Sequence, residues 1–166
     1  MPGAIALFTR EPLDEILENG GTGDWVTSAD RVRQYPFVVL VRNRNHPSSP
    51  SDVDHGTAFL IGRVFGTRVA EKRAANGYPR IFIELKDYAQ VNVKNVWSKS
   101  QNPVWYTNLE TLGIDENEIE FAPISHVATA QREAAASENN ALAEIKRDLA
   151  KLFNVPASAV EITIRL

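Results

Sequence analysis

Hydrophobic residues are grouped along the chain in short runs that predict several strands. The run Phe37–Val41 is apolar at every position and rich in valine, which predicts a strand buried on both faces. Thr57–Val69 predicts a second strand, and Gly62 and Gly66 within it favour a bulge or a sharp bend. Further strands are predicted over Arg80–Leu85, with a continuation over Asp87–Val93, and over Val104–Tyr106 and Ile119–Ile124.

The N-terminal part of the chain predicts two short helices. Thr9 is the predicted cap of a helix whose apolar positions begin at Leu13, and Gly20 ends it because glycine accepts a left-handed conformation at low cost. Ser28 is the predicted cap of a second short turn. The segment Asn45–Asp54 is rich in proline and serine, which is typical of a loop.

The composition changes near the C-terminus. Ala128–Ala150 is rich in alanine and straight-chain polar residues and predicts a long helix. Its large apolar residues form a stripe in the second half only: Leu142, Ile145, Leu149, Leu152 and Phe153. The alternating apolar residues of Val160–Ile164 predict a final strand, which needs a partner within the domain or across a dimer.

These elements predict an α+β fold, namely a small mixed β-barrel or strongly curved sheet with flanking helices. A C-terminal helix and strand are appended to it. Because the strands do not alternate regularly with helices, a doubly wound nucleotide-binding fold does not fit the pattern. We divide the chain into a β-rich domain over residues 1–125 and a packing or dimerisation element over residues 126–166.

The composition excludes several classes of protein. The 166 residues suffice for one domain, or one domain with an appendage. The absence of cysteine excludes disulfides, thiolate metal sites and thiol nucleophiles, and it fits a reducing compartment. No apolar run approaches the roughly 18 residues of a membrane helix, and residues 1–10 do not resemble a secretory signal. These features predict a cytoplasmic protein that does not contact a membrane.

The net charge of −3 conceals an uneven distribution. Residues 1–30 carry one basic and six acidic residues, residues 31–100 carry twelve and five, and residues 101–166 carry five and ten. The three balances are therefore −5, +7 and −5, and the central segment is a candidate anion-binding face. The alternative is that the three segments interleave in the fold and neutralise one another.

The sequence contains no constellation that indicates catalysis, a cofactor or a metal. It lacks a nucleophile-elbow motif, a phosphate-binding Gly-Lys-Ser/Thr loop and a His-Glu-x-x-His motif. Asp52, Asp54 and His55 are the residues that a hydrolase or nuclease acting on nucleic acid would use, but loops of this composition are usually only solvated loops. Neither catalytic nor metal-binding residues are assigned.

An aromatic and polar cluster over residues 95–107, after the last long predicted strand, is the most informative feature of the sequence. Its rings are a stacking surface for a nucleobase, and its amides and hydroxyls can contact a base edge. Arginines leaving the buried strand and its neighbour would supply cationic walls. The predicted ligand-binding residues are Arg42, Asn43, Arg44, Arg63, Trp97, Lys99, Asn102, Trp105 and Tyr106. The alternative for Trp97 and Trp105 is a place in the core, where most tryptophans are largely buried.

The buried strand that ends in Arg42-Asn43-Arg44, the glycine-bent strand that starts His55-Gly56-Thr57-Ala58-Phe59, and the cluster from Trp97 to Tyr106 together resemble small bacterial domains of the PUA-like group. That group includes the ASCH and EVE domains, and the resemblance covers roughly residues 23–124. It implies a small β-barrel with flanking helices and a cleft for RNA or a modified base. The glycine-lysine-threonine-glutamate signature typical of ASCH domains is absent.

The leading hypothesis is therefore a non-enzymatic module that binds a nucleic acid or a modified base in an aromatic, arginine-lined cleft. The alternatives are a protein-interaction or homodimerisation module built on the C-terminal helix and strand and, less strongly supported, a nucleic-acid hydrolase.

Overall fold

A computed structural model describes residues 2–97, 101–124 and 141–162. The chain divides into two compact units, Met1–His126 and Val127–Leu166, which are described separately here. Lys99, one of the predicted ligand-binding residues, lies outside the described residues.

The described part of the first unit is a mixed sheet with two short helices. Its elements in chain order are β1 (Gly3–Thr9), α1 (Leu13–Asn19), β2 (Gly21–Trp25), α2 (Ala29–Val32), β3 (Phe37–Arg42), β4 (Ala58–Arg73), β5 (Pro79–Val93), β6 (Val104–Asn108), a 3₁₀ turn (Glu116–Glu118) and β7 (Ala122–Pro123). The strand order is β2-β5-β4-β3-β1-β6, and β7 pairs with a second part of β5. The sheet curls into a half-barrel, which confirms the predicted α+β fold with a curved sheet.

The curvature is concentrated in the long hairpin of β4 and β5. The register of these strands shifts on both sides of Val64, as expected where bulges bend a sheet. Gly62 is required at this bend because a Cβ atom there would lie 2.8 Å from Leu85 Cδ1 and 3.1 Å from the carbonyl oxygen of Asp87. The glycines that interrupt the predicted second strand therefore mark the bend.

Strands β1 and β3 are neighbours in the sheet and run parallel, from Ala4 opposite Phe37 to Thr9 opposite Arg42. Alternate residues of the two strands belong to two separate hydrophobic clusters. Ile5, Leu7, Val38 and Leu40 pack with residues of α1 and α2, whereas Ala4, Ala6, Val39 and Val41 pack with residues 109–121. Because the two strands are parallel, their carboxyl ends meet at the same edge of the sheet.

The element boundaries differ from the predicted ones at both ends of the chain. Thr9 is the last residue of β1, and Pro12 instead occupies the cap position of α1 without a capping side chain. The strand predicted over Ile119–Ile124 is reduced to the two residues of β7.

In the described part of the second unit, residues 141–153 are helical and Ala157–Ala159 form a 3₁₀ turn. Residues 160–162, where the final strand was expected to begin, are not in a strand. The rest of that predicted strand, and the first half of the predicted long helix, lie outside the described residues.

Candidate ligand-binding cleft

An open cleft of about 1290 Å³ lies where the parallel strands end. Open sheets commonly bind ligands outside the carboxyl ends of parallel strands, where the connecting loops diverge. The β1–α1 connection, the start of α1, β2, the loop after β3 and the β4–β5 hairpin all contribute to it. Its lining residues are Phe8, Thr9, Arg10, Glu11, Glu15, Asn19, Gly23, Asp24, Trp25, Asn43, Asn45, His46, Ser48, Arg73, Arg80, Phe82 and Pro103. We call it the β1–β3 cleft.

Three arginines from separate segments line the cleft. Arg10 follows the last residue of β1 and is exposed. Arg73 ends β4 and donates from Nη1 to the carbonyl oxygen of Gly77 at 3.2 Å. Arg80, near the start of β5, donates from Nη1 to the carbonyl oxygen of Asp24 at 2.9 Å. Each bond uses one of the five N–H groups of a guanidinium, so donors remain for an anionic ligand.

Glu11 is a half-buried acid of the cleft whose carboxyl group accepts three hydrogen bonds. Its Oε2 accepts hydrogen bonds from the hydroxyls of Thr9, at 3.0 Å, and Thr22, and its Oε1 accepts from the backbone N–H of Gly23 at 3.2 Å. Burial raises the pKa of Glu11, and these three hydrogen bonds oppose the rise only in part. Perturbed carboxyl groups of this kind cluster at functional sites, although structural networks produce them too.

Strand β2 is held against the wall of the cleft by close packing. Trp25 donates from Nε1 to the hydroxyl of Thr22 at 3.1 Å, which extends the Glu11 network. Gly23 packs directly beneath Phe82, since a Cβ atom there would lie 2.7 Å from the ring. Arg68 covers the same ring, with Cζ 3.9 Å from its centroid. The wall is therefore formed before any ligand binds.

The two tryptophans of the predicted aromatic surface pack together with Phe8, and of these three rings Phe8 lines the cleft. The rings of Phe8 and Trp97 are stacked, with centroids 4.6 Å apart and planes 6° from parallel. Trp105 meets Trp97 edge-on at 6.2 Å, and His55 meets Phe8 edge-on at 5.2 Å. Both indoles are partly buried against the second hydrophobic cluster, and neither lines the β1–β3 cleft. Phe8 is the ring through which this stack reaches the cleft.

The structure corrects the expectation for Arg42, which does not line the cleft. Its side chain is 0% exposed. It donates from Nη1 to the carbonyl oxygen of Glu11 at 2.7 Å and from Nη2 to Asp52 Oδ2 at 2.6 Å, and its Cζ lies 3.8 Å from the centroid of the Phe59 ring. Arg42 therefore joins the β1–α1 connection, at Glu11, to the loop after β3, at Asp52, and both segments border the cleft.

Arg63 and Tyr106 are also outside the cleft. Arg63 forms a two-point ion pair with Asp87, at 2.8 and 2.7 Å, and covers the ring of Phe121. The hydroxyls of Tyr106 and Thr27 are 2.5 Å apart. Tyr106 packs against the first hydrophobic cluster, whereas Trp105 packs against the second, because successive residues of a strand point to opposite faces.

The remaining predicted residues lie at or near the cleft. Asn43 lines it, and its Oδ1 accepts from the backbone N–H of Asn45 at 3.0 Å. Arg44 is exposed on the same loop and donates from Nη2 to Ser51 Oγ at 3.4 Å. Asn102 is exposed beside Pro103, which lines the cleft, and accepts from the backbone N–H of Val104 at 3.1 Å.

The residues considered for hydrolysis are engaged in separate interactions. Asp52 is bound to Arg42, and Asp54 lies 3.6 Å from Lys94. The Nδ1 atom of His55 accepts from the backbone N–H of Arg44 at 3.2 Å. Within the described ranges, no three His, Asp or Glu residues come together in a way that would hold a metal ion.

Sequence reasoning missed the residues that do line the cleft, above all Phe8, Arg10, Glu11, Arg73 and Arg80. Phe8, Arg10 and Glu11 lie at or just after the carboxyl end of β1. Because β1 is parallel to β3, this end lies at the same edge of the sheet as the carboxyl end of β3. Arg73 and Arg80 flank the Asn76-Gly77 turn of a hairpin, and a continuous hairpin brings both to one place.

Comparison of the chain with family models, with curated proteins and with solved structures finds no match. Among the described residues, no helix combines the length and the apolar character that crossing a bilayer requires.

Proposed function

We propose that the chain is a non-enzymatic module that binds a nucleic acid or a modified base in the β1–β3 cleft. The observation that carries this proposal is the presence of three arginines, Arg10, Arg73 and Arg80, in one open cleft with a stacked aromatic ring, Phe8. Guanidinium groups bind phosphate oxygens, and a flat side chain stacks on a base of any sequence. The two kinds of group are both needed for a ligand that is anionic and carries a π-face.

The polar groups of the cleft favour a ligand whose bases are exposed. Asn43, Asn45 and Ser48 come from the loop after β3 and can contact base edges by hydrogen bonds. Glu11, Glu15 and Asp24 line the same cleft and balance the three arginines in formal charge. A duplex bound through its phosphates alone would gain little from such a surface, because phosphate attraction depends on excess positive charge. We therefore propose a single strand, or a base turned out of a duplex.

The direct test measures binding of labelled single-stranded RNA and DNA by fluorescence anisotropy over a range of salt concentrations. The triple variant Arg10→Ala, Arg73→Ala, Arg80→Ala should bind more weakly. If each arginine contacts one phosphate, the slope of log K against log salt should fall by about 2, at about 0.7 per phosphate for a single strand. The double variant Arg31→Ala, Arg33→Ala removes two exposed arginines in and directly after α2, outside the cleft, and should retain most of the slope.

Two outcomes would contradict the proposal. One is the absence of detectable binding to single-stranded RNA or DNA, or to a duplex with an unpaired base, at low salt. The other is an equal loss of affinity in the cleft variant and in the α2 variant, which would indicate unspecific attraction by the whole surface.

The C-terminal helix supports a second candidate function, a protein-interaction or homodimerisation module. Within residues 141–153, Leu152 is 76% exposed and Phe153 is 68% exposed, so the end of the predicted apolar stripe lies at the surface. Light scattering over a range of concentrations tests this function. A concentration-dependent dimer that is lost in Leu152→Ser, Phe153→Ser would support it, and a monomer at the highest concentration would oppose self-association.

A further inference from the structure

The turn between β4 and β5, residues 74–78, adjoins the β1–β3 cleft. Arg73 and Arg80 flank the turn, and both line the cleft. Arg73 is paired with Pro79 after an irregularity between Val69 and Arg73, so the two strands are paired again where the turn begins. A ligand that contacts these two arginines therefore lies beside the turn.

The backbone of this turn is held by its own hydrogen bonds. The N–H of Ala74 donates to the carbonyl oxygen of Tyr78 at 2.9 Å, and the N–H of Gly77 donates to that of Ala74 at 2.9 Å. The N–H of Tyr78 donates to Asn76 Oδ1 at 3.2 Å. Gly77 has a φ of 80°, which a glycine adopts without strain. The backbone that carries the side chains of this turn is consequently fixed before a ligand arrives, which lowers the entropic cost of binding.

Tyr78 is the large side chain that the turn presents to solvent, and it is 70% exposed. A single exposed aromatic residue needs no explanation by itself. The position of Tyr78 differs from the ordinary case because an arginine that lines the cleft lies on each side of it in the hairpin, and Arg73 donates to the turn at the carbonyl oxygen of Gly77. Cationic groups next to a flat ring are the combination that proteins use to bind single strands.

We infer that a single strand held in the β1–β3 cleft leaves it across the β4–β5 turn, where Tyr78 stacks on one additional base. Arg73 and Arg80 contact the phosphates between that base and the cleft. The inference rests on the proposed function, because it extends the same site by one stacking position. It identifies the ligand as a strand several nucleotides long rather than a free base.

The test compares a short and a long single strand of the same composition, about 4 and about 12 nucleotides, within the range of known single-strand sites. Tyr78→Leu keeps an apolar side chain and removes the flat ring. It should weaken binding of the long strand about tenfold, as expected for the loss of one stacked base. The short strand should bind Tyr78→Leu as it binds the wild type, and Tyr78→Phe should bind both strands normally.

Phe65→Leu is the matched control. Phe65 lies on the same strand as Arg73, eight residues away, is 67% exposed and does not line the cleft. This variant should bind both strands like the wild type. Thermal unfolding of all variants checks that the exposed substitutions leave the fold intact.

The results distinguish a failure of the inference alone from a failure of the function on which it rests. If the wild type binds both strands and Tyr78→Leu does not weaken the long one, the path over the turn is wrong and the cleft proposal stands. An equal loss for both strands would place Tyr78 inside the cleft site and also overturn the proposed path. If the wild type binds neither strand, the proposed function fails, and the inference fails with it.

Discussion

Arg42 and Arg10 lie at the ends of neighbouring parallel strands, yet one is part of the framework and the other lines the cleft. Arg42 ends β3, is fully buried and binds Asp52 and the main chain at Glu11. The register pairs it with Thr9, so Arg10 lies one residue past the last pair. The guanidinium at the end of β3 is therefore buried because it packs on the ring of Phe59 and binds the carboxylate of Asp52. The guanidinium of Arg10 stays available for a ligand because Arg10 follows the last paired residue.

The largest effect is expected from removing the buried member of this comparison. Arg42→Ala should lower the free energy of unfolding by about 3 kcal/mol, because it leaves a cavity beside Phe59 and frees both segments that the guanidinium joins. Arg10→Ala should change the free energy by no more than about 0.5 kcal/mol, as is usual for an exposed side chain. Urea unfolding of both variants measures the difference. Equal stabilities would show that Arg42 does not hold the framework.

The contrast between the two arginines also shows what the sequence could predict. The apolar run of β3, the glycine that ends α1 and the loop after β3 are local patterns, and the structure has all three. The burial of Arg42 depends on Asp52, ten residues further along a loop, and a charge at the end of an apolar run usually indicates solvent. Only the fold brings the pair together.

The same limit applies to β1, because the short apolar run of Gly3–Thr9 does not by itself predict a strand. Its strand character comes from parallel pairing with β3 and antiparallel pairing with β6, and both partners are distant in sequence. A sequence pattern that does not reveal β1 cannot reveal the cleft at the carboxyl end of β1 either. The aromatic cluster was recognised, but the contact between Trp97 and Phe8 joins residues that no local pattern connects.

A smaller effect is expected from substituting Phe8, which lines the cleft as Arg10 does. Phe8→Leu keeps an apolar side chain of similar size next to Trp97 and removes the flat ring from the cleft. Affinity for a short single strand should fall by about 1–2 kcal/mol, within the range for one stacked base. The free energy of unfolding should change by less than about 1.5 kcal/mol, because the volume is nearly conserved.

Phe121→Leu is the control for Phe8→Leu, since Phe121 is a half-buried phenylalanine that contacts Arg63 and does not line the cleft. Anisotropy titrations should show wild-type affinity for this variant. A loss of affinity in both variants, or in neither, would contradict the role given to Phe8.

The smallest effect is expected from substituting Glu11. This residue connects the framework and the cleft, because its carbonyl oxygen accepts from Arg42 and the residue also lines the cleft. Glu11→Gln keeps the shape but cannot offer acceptors to all three of its donors, so at low pH it should cost about 1 kcal/mol, the value of one hydrogen bond. Burial raises the pKa of Glu11 in the folded chain above the ordinary value of a glutamate.

The folded chain therefore holds the Glu11 proton more tightly than the unfolded chain does, and the resulting stabilisation is complete below the pKa of the unfolded chain. It is lost as the pH rises through the raised pKa, where the carboxyl group must ionise in a buried place. The stability advantage of the wild type over Glu11→Gln should thus shrink with rising pH, in urea unfolding between pH 4 and pH 8. Glu18→Gln, on the exposed side of α1, is the control for the same change of side chain at an exposed position. An advantage of the wild type that grows with pH would contradict this prediction. It would mean that the hydrogen bonds from Thr9, Thr22 and Gly23 affect the pKa of Glu11 more than burial does, and that the charged carboxylate stabilises the fold.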